Sequence, residues 1–257
     1  MAKSVEPSAI ASRLPTGLPE SVRTALVDFC ESATAAFGAH LQAIVLFGSA
    51  AEGKLRVTSD VNVLVVLDAF DQQLADPHRE SARLSYAAVR LDAMYVLAAE
   101  IPLAAAAFSV KFQDMLTRRV LLAGVDPLVG LAISPERVRE RLRQVLLNTQ
   151  LRLRAAYVTR SLREEQLAVV IAEAAAPIRS CAAAILALEG RTASSPKTAL
   201  QMVCSELSDS WIDVLAGFSD ARGDARLKPG MGPPLMFRLM GLCAVLRDRV
   251  DRGDRGG

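Results

Sequence analysis

The residues best suited to chemistry lie between Ile44 and Asp68. A short apolar run, Leu41–Phe47, breaks at Gly48-Ser49, and a second run, Val61–Leu67, is entered through Ser59-Asp60 with Gly53 between them. A glycine lets the backbone approach a phosphate closely, and the amides at a helix start favour an anion. The Ser49 hydroxyl adds one more hydrogen bond to a phosphate oxygen. Asp60 and Asn62 stand two positions apart, so on a strand both point to one face. Acidic groups placed there, opposite the Gly-Ser turn, would hold Mg2+ against nucleotide phosphates for an in-line displacement. Acyl transfer from Ser49 is rejected, because the only histidines are His40 and His78 and neither stands in a suitable position.

These residues need a sheet to hold them. Leu41–Phe47 and Val61–Leu67 read as buried strands from their length and β-branched content. Leu91–Leu97 reads as a third strand and Phe108–Met115 as a fourth. Pro19–Phe37 is predicted helical, with Val22, Ala25, Leu26, Phe29 and Cys30 on one face. Gln72–Val89 is predicted helical with a break near Pro77, Ile101–Ala107 a short helix or turn, and Leu116–Leu122 a helix ending at Gly124. From Ser134 the character changes. Ser134 caps a helix that has Pro135 at its first position and runs to about Arg160. Leu162–Leu188 follows and should kink at Pro177. Shorter helices are expected over Lys197–Ser208, Trp211–Phe218 and Pro234–Val250, with a loop over Ser219–Pro233 and a frayed tail at Asp251–Gly257. The expectation is an α+β chain: a flexible segment over 1–17, a mixed β-sheet domain flanked by helices over 18–130, and an all-α helical bundle over 134–257.

Gly48-Ser49, then Gly53, then Ser59-Asp60-Val61-Asn62-Val63-Leu64-Val65-Val66 resembles the pattern of the nucleotidyltransferase (polymerase beta-like) superfamily. Within it, the chain is most similar to a group of largely uncharacterised bacterial nucleotidyltransferase-domain proteins with a C-terminal helical domain. Phe108–Met115 and Leu121–Asp126 match a later part of that group's pattern, and the resemblance spans roughly Leu41 to Arg160. It implies transfer of a nucleoside monophosphate from ATP or another NTP with Mg2+. Gly48, Ser49 and Gly53 would then bind the nucleotide, Asp60 and Asn62 would be catalytic, and a small molecule or protein would be the acceptor.

The departures from that pattern bear on activity. Asn62 stands where the superfamily has its second metal acid, and Lys111 falls where a later acid is expected. Asp60, Asn62 and Lys111 together carry no net charge. An ammonium 4 Å from a divalent cation repels it by roughly 8 kcal/mol at an effective dielectric near 20. Asp92 and Asp114 are the alternatives for a third metal ligand beside Asp60 and Asn62, although on a regular strand Asp114 would face away from Lys111. Two readings follow. In one, Lys111 takes the metal's place and the domain is a nucleotide-binding or regulatory pseudoenzyme. In the other, it remains a Mg2+-dependent transferase. The plain structural alternative is a turn-closing Asp60, a satisfied Asn62 amide and a solvated Lys111.

Composition narrows the rest. The net charge of the 257 residues is +2, which argues against a strong global field for nucleic acid. The arginines between Arg137 and Arg163 are interspersed with Glu136, Glu140, Glu164 and Glu165, and read as a solvated face with ion pairs inside the helix. Cys30, Cys181, Cys204 and Cys243 lie far apart, as buried thiols in a reducing compartment do. Met1–Glu20 lacks the apolar core of a signal peptide, and no uncharged apolar run spans a bilayer. A cytoplasmic protein without membrane association is expected, and a homodimer is compatible with the sequence.

Overall fold

The computed structural model describes residues 7–55, 60–207, 210–223 and 227–254. The chain divides into two compact units, Met1–Ile133 and Ser134–Gly257. Ser59, expected at the entry of the second strand, lies outside the described residues.

In the first unit, helix α1 (Pro7–Arg13) and helix α2 (Glu20–Phe37) precede strand β1 (Leu41–Phe47) and strand β2 (Val61–Leu67). Helices α3 (Gln72–Ala75) and α4 (Arg79–Val89), separated by a 3-10 turn at Asp76–His78, lead to β3 (Leu91–Leu97). Helices α5 (Ile101–Ala107) and α6 (Ser109–Thr117) lead to β4 (Arg119–Gly124). The sheet order is β3-β2-β1-β4. Strand β1 is antiparallel to β2 and β4, while β2 and β3 are parallel. The sheet is therefore mixed, and both its faces are covered, which is why β1 and β2 are apolar at nearly every position. Ile44, Leu46, Val63 and Val65 pack on one face with Leu26, Phe29 and Phe37 of α2. Val45, Phe47, Leu64 and Val66 pack on the other with Ile101 of α5 and Phe112 and Met115 of α6.

Three sequence expectations are corrected here. Of the segment before Gly17, the described residues 7–16 are not a loose lead-in: α1 is helical, and Ile10 and Leu14 are buried in the α2-side core. Phe108–Met115 is helix α6, not a strand, because Val110, Phe112 and Met115 bury one helical face; over eight residues, loose alternation fits either period. The fourth strand is instead Arg119–Gly124, which had read as helical. Gly124 (φ 76°) ends it against β1, where a Cβ would lie 1.9 Å from the Gln42 carbonyl oxygen. Only glycine allows strands that close at this backbone angle.

The second unit is helical: α7 (Pro135–Arg160), α8 (Glu164–Leu188), α9 (Pro196–Ser205), α10 (Ile212–Gly223) and α11 (Gly232–Asp254). The Ser134 hydroxyl accepts the Arg137 N–H at the start of α7, as expected. Part of the expected Ser219–Pro233 loop is helical, since α10 runs to Gly223 and α11 begins at Gly232, and the tail stays helical to Asp254. Gln150 on α7 donates to the Met240 carbonyl of α11 from a buried position, so the bundle is fixed by a polar contact as well as by packing. Helix α8 is long and apolar enough to cross a bilayer by length and composition, but 61 % of that stretch is buried inside the protein.

Candidate functional site

Gly48 follows the last residue of β1 in the left-handed region, at φ 76°. Its N–H donates to the Arg118 carbonyl at 3.0 Å, which anchors the turn to the start of β4. The Ala51, Gly53 and Lys54 amides donate back to Gly48, Ala50 and Ser49 at 3.0–3.1 Å. Residues 48–53 are thus a string of tight turns, and the helix start expected after Gly-Ser is not formed. The Ser49 and Ala50 amides have no acceptor among the described residues. A left-handed glycine followed by two free amides is a backbone concavity suited to an anion. Gly53 (φ 67°) packs on Gly17, whose Cβ, if present, would lie 2.4 Å from the Gly53 carbonyl oxygen. That contact is structural.

A brace holds this loop from below. Arg118 contacts Asp114 through Nε at 2.8 Å and through Nη2, and reaches Glu52 through Nη1 at 3.1 Å. Burial raises the Asp114 pKa, and the Arg118 charge opposes that shift. Asp114 is therefore occupied in positioning the turn. Because α6 is a helix, Asp114 meets Arg118 four residues on.

The row that crosses the sheet beside the turn is Arg119 on β4, Phe47 on β1, Asn62 on β2 and Asp92 on β3, paired in register. Asn62 and Asp92 share the α6-facing side of neighbouring strands, about 4.8 Å apart. Asn62 Nδ2 donates to the Asp60 carbonyl at 3.3 Å and would lie 4.0 Å from a Cβ on Gly48. The Lys111 ammonium rests over the Phe47 ring, 5.5 Å from its centroid. Burial lowers its pKa, and Asp92 acts against that shift. The Asp60 carboxylate is gripped by Arg90 Nε at 2.8 Å. Arg90 takes a left-handed conformation (φ 55°) at the end of α4 and accepts the Val61 N–H through its carbonyl.

Gly48, Ser49, Asn62, Asp92 and Lys111 therefore lie together at one end of the strands, with Asp60 beside them, whereas Gly53 and Asp114 serve the loop. The carboxylates, Asp60 and Asp92, face two cations, Arg90 and Lys111, and the charges cancel. Asn62 adds only a neutral amide. Among the described residues no group of three or more His, Cys, Asp or Glu side chains could hold a metal ion. A protein cation stands near each of these two carboxylates, which weakens the pull of this donor set on Mg2+. The four cysteines are buried and free. Burial pushes Cys30, Cys181 and Cys243 up to about 12 and Cys204 to about 11, so the thiols are inert. Arg90 and Arg118 were not singled out in the sequence. Each sits at a strand entry, Arg90 before β3 and Arg118 before β4, which is the signal that marks them.

No protein-family model matches the chain, and no curated protein matches its sequence. A solved structure does share the architecture. Spectinomycin adenyltransferase AAD(9) from Enterococcus faecialis, crystallised with ATP and spectinomycin, aligns with a TM-score of 0.59 over 89 % of this chain and 98 % of that one, at 13 % identity. This chain has a nucleotidyltransferase fold.

Proposed function

We propose that the first unit binds a nucleoside triphosphate, ATP first, without a metal, and acts as a nucleotide-binding regulatory pseudoenzyme in the cytoplasm. The observation that carries this reading is that each carboxylate near the Gly48-Ser49 turn already faces a protein cation, Arg90 for Asp60 and Lys111 for Asp92. Lys111 supplies positive charge where a metal would otherwise have to. The free Ser49 and Ala50 amides and the Ser49 hydroxyl supply donors to phosphate oxygens. The neighbour AAD(9) was crystallised with ATP, which makes ATP the first ligand to try. The test is calorimetry with ATP in EDTA and again in Mg2+. Equal affinity in both, with loss of binding in Lys111→Ala, supports the reading. Binding only with Mg2+, or transfer of labelled nucleotide from ATP to a small-molecule or protein acceptor, sinks it and restores the transferase.

A further inference from the structure

The second unit has a cavity of its own, with a volume near 240 Å³, between α7 and α8. Thr149, Arg152, Thr159 and Arg160 line it from α7, and Glu173 and Pro177 from α8. Other arginines of α7 are engaged: Arg137 with Glu140 at 3.3 Å, Arg139 with Glu136 at 3.7 Å, and Arg143 with Asp251 at 2.6 Å. Arg152 and Arg160 have no such partner among the described residues. Glu173 shares their cavity and is also unpaired. Pro177 lies inside α8 and has no N–H to give the Glu173 carbonyl. The Thr149 and Thr159 hydroxyls give their hydrogens to the Val145 and Ala155 carbonyls at 2.8 and 2.9 Å. Toward the cavity they can only accept.

The polar part of the wall therefore offers guanidinium donors and otherwise acceptors, and Leu153, Ala155, Ala156, Val170 and Ala174 make up an apolar part that suits the carbon face of a sugar ring. We propose that this cavity binds a small phosphorylated polyol of the sugar-phosphate class. The phosphate takes the unpaired guanidinium charge of Arg152 and Arg160, and the hydroxyls donate to Glu173 and the two threonines. Two cations against one carboxylate leave the cavity one positive charge in excess, which selects an anionic ligand over a neutral sugar. Its volume is below the roughly 300 Å³ at which drug-sized pockets begin, which favours a monophosphate of a single sugar over a nucleotide. The site lies wholly within the second unit and does not rest on the nucleotide-binding reading of the first.

The test titrates the full chain, in EDTA, with glucose 6-phosphate and ribose 5-phosphate, with glucose and ribose, and with inorganic phosphate. A sugar phosphate is expected to bind, the bare sugars not to bind, and inorganic phosphate to bind more weakly. Arg152→Gln and Arg160→Gln are each expected to weaken binding roughly tenfold, the scale of one charge-assisted hydrogen bond. Both arginines are exposed, and a thermal melt confirms that the variants remain folded. Thr159→Val removes, toward the cavity, only an acceptor and should weaken the sugar phosphate but not inorganic phosphate. No binding by either sugar phosphate overturns the proposal. So does binding that survives both arginine variants, binding lost in Lys111→Ala instead, or inorganic phosphate bound as tightly as its sugar esters.

Discussion

Replacing Arg118 by Met tests the brace under the phosphate-facing turn. Its side chain is 17 % exposed, against 25 % for Asp114 and 23 % for Glu52. Methionine keeps the stem and the main-chain carbonyl that receives the Gly48 N–H, so the loss is confined to the charge. Two carboxylates are then left near each other without their shared cation. Breaking a fully buried pair costs about 3–5 kcal/mol; these three groups keep some water contact, so about 2–3 kcal/mol is expected. The sign with pH follows from Asp114. Burial already raises its pKa, and Arg118 opposes the rise. Without Arg118 the folded value climbs further above the unfolded one. The penalty is then absent where the carboxyl is protonated in both states, and grows as pH rises past the unfolded value. Urea unfolding at pH 7 and at pH 4.5 should show a deficit that shrinks at the lower pH. Adding Asp114→Asn should recover part of it at pH 7. A deficit under about 0.5 kcal/mol at pH 7, or one that ignores pH, refutes the account of the brace.

Other predictions follow from the same geometry. Lys111→Met should raise stability by about 1 kcal/mol, because a partly buried ammonium is removed from above Phe47, while ATP affinity falls; urea unfolding and calorimetry read the two effects separately. Asn62→Asp with Lys111→Glu should create Mn2+ or Mg2+ binding that the wild type lacks, and a flat calorimetric trace for the double variant would count against the charge-balance argument. His78 is 2 % exposed, and burial lowers its pKa to about 4 from 6.5. The unfolded chain therefore takes up the proton first, and stability should drain by up to about 3 kcal/mol as pH falls from 6.5 toward 4. His78→Phe should flatten that slope in thermal melts. Gly124→Ala should destabilise by about 3 kcal/mol or more, since both the backbone angle and the Gln42 carbonyl oppose a Cβ.

Much of the frame was legible in the sequence because it rests on local signals. Val61–Leu67 is a strand because a nearly continuous β-branched and apolar run has few other ways to be buried. Ser134-Pro135 starts a helix because cap and first-turn chemistry need no distant partner. The neutral amide of Asn62 two positions after Asp60 was likewise visible by type alone. The stretch 108–124 was misread because Phe108, Val110 and Phe112 suit a strand as well as a helix over so short a window. Only packing on Val45, Phe47 and Leu64 makes α6 a helix and leaves the strand role to Arg119–Gly124.

The sequence by itself determined the first three strands, the helical second half and the Gly48-Ser49 turn, since these depend on residue type and near spacing. The tertiary structure decided which charges meet. It set Asp92 beside Asn62 through parallel pairing, brought Arg90 onto Asp60, turned Lys111 over Phe47 from a helix, and gave Asp114 to Arg118. Electrostatics depends on distance in space, and residues 60 and 90, or 52 and 118, become neighbours only once the sheet has closed.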